Sequence, residues 1–188
     1  IMSAKTTAPK FLTTNDRAVA VQDFSVLSQR FPGVAVAEAY NIAGQTNKRS
    51  SILSMANTFQ NSGIPIDGIG MQMHLSSAWP SQQEVTQAIT DVAGSNLLVH
   101  ISELDIGINP NDDINSLTVE RAQEQEALYN HVSSEYSSIV PSSQQYGITV
   151  WGVRDQDSWR YDGGTEWPLL YNENFEFKIA HRGFADGL

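Results

Sequence analysis

Cysteine is absent from the chain, so neither a disulfide framework nor a thiol nucleophile is available, and redox chemistry gives no reading of the compartment. Cations are scarce: 11 Lys and Arg stand against 21 Asp and Glu, a formal net charge of −10 with the signs interspersed. That balance offers no basic patch for a nucleic-acid backbone or an anionic membrane surface, and it suits a neutral or cationic ligand. No apolar run approaches the ~18 residues of a membrane span, and Ile1 to Lys10 lacks the apolar centre of a signal peptide. Neither nucleic acid nor membrane is therefore expected as a partner. His74, His100, His131 and His181 show no ligand spacing on a common helix or loop, so no metal is expected. A Gly-rich phosphate loop is missing after every strand-like run, which leaves a nucleotide-binding sheet unsupported. No cofactor is expected.

What is present is an alternation of two hydrophobic periods. Asn15 or Asp16 caps a helix marked by Ala20, Phe24, Leu27 and Phe31 and ended by Pro32-Gly33; residues 1–14 before it read as loop or linker. Val34 to Asn41 is short, apolar and strand-like. Ile52, Met55, Ala56 and Phe59 share a helical face that Gly63 and Pro65 terminate. Ile66 to Leu75 is a second strand. Ser81 and Glu84 have capping-box spacing, ahead of the stripe Val85, Ala88, Ile89 and Val92 that runs to Gly94. Leu97 to Ile108 is a third strand, a helix follows from about Thr118 to Tyr136, and Gly147 to Val153 is a fourth strand. Strands separated by helices, with no two-residue hairpins, predict an α/β fold with a parallel sheet. At 188 residues the chain has room for one domain with a core, but it is short of the ~250 usual for a closed (β/α)8 barrel.

The third strand carries Glu103 and Asp105, two residues apart and so on one face, with Leu104 and Ile106 on the other. Two acids on an apolar strand are costly to bury unless something pairs or uses them. Gln72 and His74 share a face of the second strand in the same way. A histidine beside two carboxylates holds one of them ionised, as a carboxylate nucleophile requires. Tyr40-Asn41 ends the first strand, and Trp151, with Trp159-Arg160 in its loop, follows the fourth. Carboxylate, amide, imidazole and indole at the C-terminal ends of parallel strands fit a carbohydrate site. Each residue also has a plainer reading: a strand-end histidine is more often structural, Trp151 fills a core, and Trp79 and Trp167, each before proline, pack loops. His100 and Asp67 read as structural. Glu38 points either into the barrel or to a rim with Lys48 or Arg49.

The strings Ile66 to Leu75, Ile101 to Ile106, Gly147 to Val153, Asp157 to Arg160 and Pro168 to Tyr171 together closely resemble the second half of family 10 glycoside hydrolases, the endo-1,4-β-xylanases. The motifs occur in order and the likeness covers roughly residues 20–188. The resemblance implies a TIM barrel of which this chain supplies about strands 5 to 8. It implies Glu103 as nucleophile, with His74 and Asp105 as its hydrogen-bonded partners, and Gln72, Tyr40, Trp151 and Trp159 as sugar contacts, with Arg160 on the bordering loop. Xylan or xylo-oligosaccharides are the implied substrate, and such a polymer implies a secreted, periplasmic or cell-surface location. A related β-1,4-glucanase and a non-catalytic carbohydrate-binding or assembly half-barrel are the alternatives.

The chain departs from the family in two places. Glu38-Ala39-Tyr40-Asn41 stands where the family usually has Asn-Asp-Tyr-Asn. The family's acid/base Glu follows an Asn at the end of strand four, and residues 1–33 contain no such pair. Residues 1–188 are thus expected to be the C-terminal half of a catalytic domain, inactive alone, whose missing N-terminal half comes from the same gene product or another copy.

Overall fold

The protein is described by a computed structural model over residues 36–188. The linker expected at residues 1–14 and the helix expected to end at Phe31 lie outside the described residues. Four strands, β1 (Val36–Tyr40), β2 (Gly68–Ser76), β3 (Leu98–Gly107) and β4 (Gln145–Val150), pair in parallel in the order β1-β2-β3-β4. Helices α1 (Thr46–Asn61), α2 (Gln82–Ala93) and α3 (Val119–Ile139) connect them in turn, and α4 (Ile179–Asp186) follows the long segment after β4. This is an α/β arrangement, a four-stranded parallel sheet consistent with half of a (β/α)8 barrel.

Side-chain alternation decides what each face of the sheet does. On β2, Ile69, Met71, Met73 and Leu75 are buried against the helices, which leaves Gly70, Gln72 and His74 on the opposite face. On β1, Ala39 joins the helix-side core and Glu38 and Tyr40 take the other face. Strand β3 changes phase midway. Val99 and Ile101 are fully buried in the helix-side core, and so are Leu104 and Ile106, although Ile101 and Leu104 are three residues apart rather than two. The pairing explains it: Met71 faces Ile101 but Gln72 faces Glu103, so Ser102 is the extra residue of a β-bulge. The bulge brings Glu103 and Asp105 to the face that already carries His100.

The helices bury the stripes expected of them. Ser81 and Glu84 form the capping box on α2: the Glu84 amide donates to Ser81 Oγ at 3.3 Å, and the Ser81 amide donates to Glu84 Oε2 at 2.8 Å. Val85, Ala88, Ile89 and Val92 then meet the sheet. Helix α3 adds two buried tyrosines whose hydroxyls are used: Tyr129 donates to the Pro168 carbonyl at 2.7 Å and Tyr136 to the Val99 carbonyl at 2.8 Å. β4 starts two residues before the position the sequence suggests, because Gln145 pairs with Val99, and it ends at Val150. Gly152, at φ 132°, turns the chain away there. Beyond it, the buried Lys178 ammonium donates to Asp155 Oδ1 at 3.0 Å and to the carbonyls of Trp167 and Leu169, which fixes the loop that carries Trp159.

Candidate active site

The residues at the C-terminal ends of the strands form two adjacent rows. Tyr40, Gln72 and Glu103 are cross-strand neighbours, and one step further His74 stands opposite Asp105. His74 Nε2 lies 3.0 Å from Glu103 Oε2 and its Nδ1 lies 2.8 Å from Asp105 Oδ2. Carboxylates only accept, so both ring nitrogens are used as donors, the arrangement of an imidazolium. Burial alone lowers the His74 pKa, but the hydrogen bond and charge of Asp105, together with the charge and hydrogen bond of Glu103, outweigh it and leave the pKa above its ordinary 6.5. Glu103 is shifted upward by burial, which His74 opposes, while the charges of Glu38 and Asp105 add to the rise. His74 therefore opposes the rise in the Glu103 pKa without bringing the net value below the usual 4.5.

Asp105 is the hub. It has no exposed surface, and besides His74 it accepts from Trp159 Nε1 at 2.7 Å and from Arg160 Nε at 2.6 Å. Three donors, two of them on cations, supply what a buried carboxylate needs. The Trp159 ring stands edge-on to His74 at 5.1 Å, and the Arg160 guanidinium lies 4.8 Å from the indole centre. The indole is 59% exposed, open to a ligand on its free surface.

Other expected site residues lie around this network. Tyr40 is exposed, with its ring 6.2 Å from His74 and the Lys48 ammonium 5.0 Å from its centre. Trp151 is exposed just past β4, and its amide donates to the Leu104 carbonyl at 2.8 Å, one residue from the hub. Gln72 is half-buried between Tyr40 and Glu103. Glu38 points to the site face rather than to a rim: its Cγ lies 2.8 Å from where a Cβ on Gly70 would stand. Neither proposed rim partner takes it, since Arg49 donates to Asp91 and to the carbonyls of Ile42 and Ala43. Trp79 lies against Gly44, in keeping with loop packing, and His100 is held by Thr149 Oγ1 at 2.9 Å.

One participant was not legible beforehand. Glu166 accepts from the amides of Ile108, Asn109 and Trp167 at 2.7, 3.2 and 3.1 Å and so ties the loop after β4 to the end of β3. It sits in no periodic segment and no recognisable motif, so local sequence carried no signal for it.

The family model described as glycosyl hydrolase family 10 matches residues 35–187. The chain belongs to glycosyl hydrolase family 10. Within family 10, the endo-beta-1,4-xylanase Xyn10C of Cellvibrio japonicus is 37% identical over 164 residues, 79% of this chain and 27% of that protein. Endo-1,4-beta-xylanase A of the Ueda107 strain of the same species is 32% identical over the same shares of each. Among solved structures, a mutant of xylanase10C from Cellvibrio japonicus in complex with xylopentaose superposes with a TM-score of 0.80 at 33% identity, covering 94% of this chain and 38% of that one. The chain thus spans about a quarter of the length of these curated family 10 relatives. Of the family's usual Asn-Asp pair before the tyrosine, both members are replaced: Ala39 is buried on the helix side, while Glu38 brings a carboxylate to the site face.

Proposed function

We propose that this chain carries the nucleophile half of the active site of a retaining endo-1,4-β-xylanase, as strands 5 to 8 of its barrel. The observation that carries the reading is the pair of contacts through which His74 joins Glu103 to the buried Asp105. Glu103, drawn toward its ionised form by His74, attacks the anomeric carbon and forms a covalent glycosyl-enzyme. Asp105 is the positioning partner behind His74. Tyr40, Gln72, Trp151 and Trp159 are the sugar contacts, and Arg160 borders them.

Retaining hydrolysis needs a second carboxyl group, about 5 to 5.5 Å from the first, to protonate the leaving oxygen and then activate water. In this proposal that acid/base stands on the other half of the barrel, from the same polypeptide or another copy, and residues 1–188 are the C-terminal half of the catalytic domain. Xylan or its oligosaccharides are the substrate, met at a secreted, periplasmic or cell-surface location. The names of the relatives and the xylopentaose bound to one of them support this choice of substrate. The test is hydrolysis by the complete enzyme: xylan is cleaved with retention at the anomeric carbon and cellulose is not. Equal or faster cleavage of cellulose transfers the assignment to a β-1,4-glucanase.

The role of His74 gives a pH prediction. Its charge and hydrogen bond lower the Glu103 pKa, against burial and against the charges of Glu38 and Asp105. In His74→Asn the lowering contributions vanish and the raising ones remain. The acid limb of the kcat/KM profile therefore moves to higher pH, with a smaller loss at the optimum than for loss of the nucleophile. An acid limb that stays in place or moves to lower pH refutes the role given to His74.

A further inference from the structure

We propose that Glu166 is a positioning residue for the wall formed by Trp159 and Arg160, an inference that rests on the carbohydrate-site reading above. Trp159 and Arg160 belong to a loop, not a strand, so their placement beside Asp105 depends on what ties that loop to the sheet. Glu166 supplies a tie on the strand of the nucleophile itself. Its Oε1 collects the amides of Ile108 and Asn109, where β3 has just ended at Gly107 and its ladder no longer takes them. Asn109 reinforces the junction, since its side-chain amide donates to the carbonyls of Thr165 and Ile114 at 2.8 and 2.9 Å.

The second oxygen reaches the site. A Cβ added to Gly107 would stand 3.0 Å from Glu166 Oε2 and 3.1 Å from Arg160 Nη1, so both groups converge over the space this glycine leaves open. The guanidinium is hydrogen-bonded to Asp105 through Nε, and its Nη1 shares the space over Gly107 with Glu166 without forming an ion pair with it. The negative charge of Glu166 across that gap favours this orientation of the guanidinium, which lies against the indole of Trp159. Glu166 acts on the sugar platform through this residue, without touching sugar itself.

The experiment compares Glu166→Gln and Glu166→Ala in the complete enzyme. Glutamine keeps an oxygen for the β3 amides but loses the charge toward Arg160. Glu166→Gln is expected to melt within a few degrees of the parent, yet to raise KM for xylo-oligosaccharides about fivefold to tenfold with kcat nearly unchanged. Glu166→Ala is expected to lose stability as well. Added to Arg160→Lys, Glu166→Gln should raise KM little further, because its effect passes through that guanidinium. A Glu166→Gln enzyme with unchanged KM overturns the proposal and leaves Glu166 a structural tie alone. A parent enzyme without activity on xylo-oligosaccharides overturns the carbohydrate reading instead. In that case acrylamide quenching of the Trp159 fluorescence, assigned with Trp159→Phe, still decides: quenching raised by Glu166→Gln supports the positioning role, and unchanged quenching refutes it.

Discussion

Glu103→Gln in the complete enzyme should abolish formation of the glycosyl-enzyme while leaving xylan binding nearly intact. Glutamine preserves the size of the side chain and still offers an oxygen to His74 Nε2, 3.0 Å away in the parent, so the network is little disturbed. What disappears is the charged oxygen that attacks the anomeric carbon. Because the covalent route is removed rather than slowed, the rate should fall by about 10⁴- to 10⁶-fold. The measurement is intact mass after exposure to an activated glycoside, alongside xylan binding by the same protein. A labelled mutant, or one that hydrolyses at a tenth of the parent rate, excludes Glu103 as nucleophile.

Asp105→Asn is the second large effect, and it is expected in stability as well as rate. The side chain has no exposed surface and accepts from His74, Trp159 and Arg160, so an amide there presents a donor to groups that are themselves donors. Breaking one partner of a buried charged network costs about 3–5 kcal/mol. The rate should fall by about 10² or more, since His74 loses the partner that orients it, as in a triad whose buried carboxylate is replaced. A pH signature accompanies the loss. The His74 pKa is raised on folding, so its contribution to stability is full below about 6.5 and fades as pH climbs through the raised value in the fold. Asp105 is a main source of that rise, so in Asp105→Asn the melting temperature should decline less between pH 6 and pH 9 than in the parent. A mutant with the parent's melting profile at both pH values would show that Asp105 is not the hub.

Much of the fold was legible because it is local. The capping box at Ser81 and the stripe from Val85 to Val92 need only spacing, and α2 forms where both put it. The same holds for β2, where alternation separates the helix-side residues from Gln72 and His74. Boundaries were less legible: β4 is decided by pairing of Gln145 with Val99 and by the turn at Gly152, neither of which hydrophobic period records. Within the site, two-residue spacing was enough to place Glu103 with Asp105, and their approach to His74 followed from neighbouring strands. The hydrogen bond from the Trp159 indole to Asp105 spans 54 residues, and the tie of Glu166 to Ile108 spans 58. Such contacts depend on how a non-periodic loop folds back, so residue spacing does not reveal what holds Trp159 in place.

The bulge at Ser102 makes β3 behave like a reading frame. Exchanging the residue at this position leaves the count of residues intact, and Glu103 continues to face the site with Leu104 in the core. Deleting it closes the bulge without turning the strand: Glu103 then follows Ile101 directly, opposite Gln72 as before, and the two acids keep the cleft while Leu104 and Ile106 keep the core. A gap elsewhere is not absorbed: losing Leu104 would set Asp105 toward the helices and Ile106 into the cleft, so this strand tolerates a change of length only where it carries its extra residue.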